Sequence, residues 1–175
     1  MGIIDSVLME LDQEAAITKR VLERVPGDRL TWKPHQKSMS LGQLALHVAM
    51  IPGEVAGMLV TNEFEMTPAE FNSIPAAPET SADIMKAHEE SLAKAKRILS
   101  GLDNTAVMAT WGLKVGSAVV FSAPKAGIVR SIVLNHWYHH RGQLSVYLRL
   151  LDVPVPSIYG PSADENPFAV AAAGR

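Results

Sequence analysis

At 175 residues the chain is long enough to close one hydrophobic core, and it is read as one domain, residues 1–175. Apolar residues make up 47% and charged residues 19%, with a net charge of −2 and no basic stripe, which argues against disorder and against a nucleic-acid partner. Six histidines and no cysteine exclude disulfides, thiolate zinc sites and an enzyme-borne cysteine nucleophile, leaving imidazole as the borderline metal ligand.

Met1 to Leu11 contain Asp5 and Glu10 and lack the basic-then-apolar order of a signal peptide. No apolar run approaches the ~20 residues that cross a bilayer. The expectation is a cytoplasmic protein without a membrane partner.

Ile4, Leu8, Leu11, Ala15, Thr18, Leu22 and Val25 recur at helix-bundle spacing, broken in character only at Thr18, until Pro26-Gly27 ends the helix. A polar connection through Trp32 and Pro34 leads to Ser40 and Gln43, a capping box for a second helix. That helix carries Leu41, Leu44, His47, Val48, Ile51 and Val55 on one side, with Pro52 expected to kink it. Residues 61–78 read as a long, proline-containing loop. Thr80 or Ser81 caps a third helix with Ile84, His88, Ser91, Ala95, Ile98 and Leu102 at seam spacing. Met108 to Phe121 is rich in Val, Trp and Gly and suits a short hairpin. A fourth helix, from near Ser122 to about Asp152, carries Ile128, Ile132, His136, His140, Leu144, Tyr147 and Leu151 along one stripe over roughly 40 Å. The fold expected from these segments is an all-α four-helix bundle with long connections, followed by an extended tail, 153–175, with a frayed Ala-rich end.

His136 and His140 are four apart on one helical face, which stacks two imidazoles within reach of one ion. His47, inward on another helix, can supply a third nitrogen. Three neutral imidazoles leave a coordination position for water or substrate, as in catalytic sites. The competing reading is two hydrogen-bonded core histidines, but burying both without partners costs a few kcal/mol, so a shared ligand is the economical explanation. His139 points about a quarter-turn away. His88, on the third helix's seam, suits a fourth ligand, a general base or a satisfied core residue, and His35 lies in a loop. Trp32, Trp111 and Trp137 suit the core or a pocket wall. Arg141 and Gln143 suit either the site's edge or the solvated helix flank.

The segment Asn135-His-Trp-Tyr-His-His-Arg-Gly-Gln-Leu-Ser-Val-Tyr-Leu-Arg149 resembles the metal-binding helix of the DinB (DNA-damage-inducible), or YfiT-like, family of metalloenzymes. Trp32-Lys-Pro34 with Ser40 to Ala49, and Leu151 to Glu165, are similar to that family's second-helix entry and its tail. The resemblance implies an up-down-down-up bundle, often a homodimer, with nickel or zinc on His47, His136 and His140, iron and manganese being alternatives. It implies a metal-dependent enzyme acting on a small molecule. The two candidate reactions are an S-transferase using a low-molecular-weight thiol and a metal-hydroxide hydrolase, for which His88 or Glu54 would be the general base. A non-catalytic, stress-related dimeric metal module and a metal-free pH-sensing histidine cluster are the rival readings.

Overall fold

The computed structural model describes residues 2–71, 73 and 76–169. Four long helices form its frame: α1 (Ile3–Leu22), α2 (Leu41–Met58), α4 (Ser81–Leu99) and α7 (His136–Leu150), with a short α3 (Pro68–Phe71) between α2 and α4. Their starts follow local chemistry. Ser40 Oγ accepts the Gln43 N–H at 3.2 Å while Gln43 Oε1 accepts the Ser40 N–H at 2.8 Å, and Thr80 and Asp83 repeat the exchange ahead of α4.

Side-chain contacts give the helix directions. Val48 meets Trp137 and Met39 meets Tyr147, so α2 and α7 are antiparallel. Gly53 meets Ser91 and Gly57 meets Lys94, so α2 and α4 run the same way. Asp12 pairs with Lys96 while Ala15 meets His88, so α1 opposes α4. Leu11, Leu22, Leu44, Val48, Ile51, Ile84, Leu99, Val133, Leu134 and Leu148 are fully buried between them.

The all-α expectation is corrected by a three-stranded mixed sheet packed at one end of the helices. β2 (Thr110–Val115) and β3 (Ala118–Pro124) form the antiparallel hairpin, turning through Gly116, whose φ of 56° suits a residue without a Cβ. β1 (Glu63–Met66) pairs parallel with β2, Glu63 opposite Gly112 and Met66 opposite Val115. The segment read as one long loop therefore holds both β1 and α3. One residue of the sheet and one just after it close the C-terminal end of α2, whose last carbonyls have no partner within the helix. Trp111 Nε1 donates to the Met58 carbonyl at 2.9 Å, and the buried Lys125 Nζ donates to that of Leu59 at 2.7 Å.

A short α5 (Asn104–Met108) precedes the hairpin, and α6 (Lys125–Ile128) follows it. A π-helical stretch, Val129–Asn135, then joins α6 to α7, so the expected fourth helix is one rod with a wide turn directly before His136. The wide turn changes which face is deepest. Val133, Trp137, Arg141 and Leu148 are fully buried, one residue on from the expected Ile132, His136, His140 and Tyr147, which are only partly buried, while Ile128 and Leu144 are buried as expected. On α4 the buried seam likewise ends at Leu99, with Ile98 and Leu102 partly exposed.

The tail is not simply extended. Arg20 and Arg24 bind Glu165, and Arg149 binds Asp164, folding residues 153–169 back across α1 and α7. Of the frayed end expected over Ala169 to Gly174, all but Ala169 lies outside the described residues.

Candidate metal centre

Pro52 contributes no N–H to α2, so the carbonyl of Val48 is left without its helical donor. Trp137 Nε1 donates to that carbonyl at 2.8 Å. This bond pins α7 to α2 one residue beyond each facing histidine, since His47 precedes Val48 and His136 precedes Trp137. The next N–H, of Gly53, is taken by Ser91 Oγ at 2.8 Å, and that hydroxyl donates in turn to the Met50 carbonyl at 2.9 Å. The proline thus sets the register among α2, α4 and α7.

His47, His136 and His140 converge in the half-buried gap so defined, each offering one ring nitrogen within 4.8 Å of the other two. The Nε2 atoms of His47 and His136 lie 3.2 Å apart. Two imidazole nitrogens on one tetrahedral zinc, each ~2.05 Å from it, stand about 3.3 Å apart, so this pair already has the spacing of co-ligands. Ring centroids are 4.6 Å apart for His47 and His140 and 4.4 Å for His136 and His140, all edge-on.

Protonation favours ligation. His47 is pushed down to about 4 by burial and then by its two neighbours, and His140 to about 4 by burial and His136. His136 is lowered as well, by burial and then by His139. All three rings are neutral at pH 7, with lone pairs free for a cation. Gln143 fixes one tautomer. Its Nε2 donates to His139 Nε2 at 3.0 Å, which directs its Oε1 to accept His140 Nδ1–H at 2.8 Å and leaves His140 Nε2 as the acceptor nitrogen.

The other candidates separate. His88 is buried in the core, Nε2 3.4 Å from the Ala15 carbonyl and its ring 6.2 Å from Trp137. It does not join the triad. Glu54 stands two turns along α2 from His47, about 10 Å along the helix axis, and lines the same cavity without joining the triad. His139 is exposed and borders the site, its ring edge-on to His140 at 5.0 Å and its Nε2 bonded to Gln143, without joining the triad. Arg141, which sequence left between site edge and flank, is neither: it is buried and points away toward α1. The four-residue step from Trp137 to Arg141 on the core stripe was the available signal.

Two clefts flank the triad. A cavity of about 790 Å³ reaches His47 and is walled by Met39, Met58, Phe64, Met66 and Phe71. A second, of about 390 Å³, reaches His140 and Gln143 beside Tyr147. Met39 lines both.

The model of the DinB family matches residues 4–167. The chain belongs to the DinB family. An uncharacterised Bacillus subtilis (strain 168) protein, YrdA, is similar at 24% identity over 165 residues, covering 93% of this chain and 91% of its own. Two crystal structures of DinB-like proteins share the fold with a TM-score of 0.66. The one from Bacillus subtilis is 18% identical and aligned over 87% of this chain and 96% of its own. The one from Bacillus cereus ATCC 10987 is 20% identical over 89% and 97%. This DinB chain has a histidine triad compatible with a metal ion, and among its described residues no helix is long and apolar enough to cross a membrane.

Proposed function

We propose that this DinB protein is a metal-dependent enzyme that transfers a thiol onto a small electrophilic molecule, with His47, His136 and His140 holding one divalent ion. The observation that carries the reading is the convergence of three neutral imidazoles from two helices at the mouth of a cavity of ligand size. Zinc and nickel suit an all-imidazole donor set best, ahead of iron and manganese. A bound ion would supply Lewis acidity, polarising an electrophile or favouring the thiolate of a low-molecular-weight thiol.

The chain's own part is to present unprotonated nitrogens, to hold His140 in one tautomer through Gln143, and to shield the site with an apolar wall of methionines. Transfer is favoured over hydrolysis because no general base joins the triad, and a thiol, ordinarily far more acidic than water, is the nucleophile a bound ion would ionise with the least help.

Metal analysis of untagged protein tests the first half. About one zinc or nickel per chain is expected, with loss in His136→Ala. No stoichiometric metal, even after adding zinc, nickel, iron and manganese back, overturns the metal centre. With metal present, thiols are then screened against electrophilic substrates. Turnover that proceeds equally well without any thiol would replace transfer by hydrolysis.

A further inference from the structure

The larger cavity extends from His47 past Gly57, ten residues along α2, so it is roughly 15 Å long. Its walls are apolar groups left facing solvent, among them Val60, 65% exposed, and Phe71, 53% exposed. At the end remote from the triad, Lys94 and Arg97 project from adjacent turns of α4. Elsewhere on that helix, Lys96 pairs with Asp12 and Lys86 with Glu90. The Lys94 and Arg97 side chains have no ion pair or hydrogen bond among the described residues.

The Lys94 ammonium lies over Gly57 of α2. A Cβ at that position would stand 2.9 Å from Lys94 Nζ. Of the two carboxylates in the cavity, Glu70 is engaged by the Thr67 N–H at 2.7 Å and the Thr67 hydroxyl at 2.8 Å. Glu70 keeps its charge but is turned onto Thr67, and Glu54 and Glu90 border Lys94 without an ion pair to it, so both cations keep their hydrogen-bond donors open to a ligand.

We infer that this cavity binds an elongated amphipathic anion, its apolar body along the Met58–Met66 wall, its anionic end on Lys94 and Arg97, and its reacting end at the histidine triad. The reacting end rests on the metal reading proposed above; the anion's binding stands on the cavity itself. Apolar burial supplies affinity, and the cations fix which end points outward.

Two fluorescent probes of similar shape separate the contributions: 8-anilinonaphthalene-1-sulfonate and the uncharged N-phenyl-1-naphthylamine. The sulfonate is expected to bind the wild-type protein about tenfold more tightly, and the preference to vanish in K94A/R97A but persist in K86A. Methionine methyl NMR locates the site, with Met58 and Met66 expected to shift and the exposed Met9 and Met108 to stay. Equal affinity for both probes, an unchanged preference in K94A/R97A, or shifts confined to Met9 and Met108 would each overturn the inference. Zinc content measured on the same samples keeps the two readings apart: zinc bound without sulfonate preference removes the anion cavity alone, and preference without zinc uptake removes the metal centre alone.

Discussion

Gln143 is exposed, yet it holds two histidines in register and decides which nitrogen of His140 faces its neighbours. Removing such a partner costs a metal site about 10–100-fold in affinity. Gln143→Leu is expected to weaken zinc binding by about tenfold with an unchanged fold, read by competition against a chromophoric chelator. Retained affinity would mean that the triad orients itself. His88 is the contrasting case. Burial holds its pKa below the ordinary imidazole value, so in the fold it stays neutral where the unfolded chain would bind a proton. Its contribution is therefore fully present above about pH 6.5 and is lost as pH falls from there toward the lower folded value. Metal-free wild type and His88→Leu should diverge in that window, the wild type losing thermal stability faster on acidification. Parallel curves would show that another group carries the acid sensitivity.

At the scale of elements, the histidines depend on how α7 docks on α2, and Trp137 makes that contact through the carbonyl that Pro52 releases. Trp137→Phe keeps most of the apolar bulk but strands a buried carbonyl, at a cost of about 1–3 kcal/mol. The same change should loosen the spacing of His47 and His136, so urea denaturation and zinc affinity should both fall. A stability loss with intact zinc affinity would show that the register is set elsewhere. Here too lies the boundary of what the sequence disclosed. Helix starts at Ser40 and Thr80 were legible because a capping box is local chemistry. The hairpin was legible from Val, Trp and Gly over Met108 to Phe121. β1 was not, because four residues in a proline-containing stretch acquire strand character only by pairing with β2, nearly fifty positions later. The π-helical turn was not either, since Val129 to Leu134 satisfy any helical reading. It moved most of the core stripe by one residue and left the histidines at the core's edge. Their i, i+4 spacing survived because the turn ends before His136. The cavity could not be read in advance, as its walls come from α2, β1, α3 and α4 together.

For the molecule as a whole, the buried Arg141 ties together three segments that are distant in the chain. Its guanidinium lies 2.6 Å from Glu14 Oε2 on α1, donates to Thr18 Oγ1 at 3.0 Å and to the Tyr159 hydroxyl of the tail at 2.5 Å, and Tyr159 donates to Glu14 at 2.9 Å. Thr18, the polar break in the first helix's seam, is thereby explained as an acceptor facing a core cation. Because Glu14 would remain nearly buried without its partner, Arg141→Ala is expected to cost about 3–5 kcal/mol, against about 1 kcal/mol for Tyr159→Phe, which removes one hydroxyl. The paired change Arg141→Met with Glu14→Leu removes both charges and should recover most of the loss, since an apolar pair of similar size avoids the desolvation penalty. Urea unfolding of the three variants measures the pattern, and limited proteolysis after residue 153 reports whether the tail lifts when the cation goes. If Arg141→Ala costs no more than Tyr159→Phe, the network is a by-product of helix packing, and the tail is held by its carboxylates instead. Asp164 is drawn down mainly by Arg149, and Glu165 mainly by the Ser157 N–H, with Arg20 and Arg24 adding to it. Both carboxylates stay charged below their ordinary values, so that clamp would persist into mild acid and release only as pH falls through the lowered folded values.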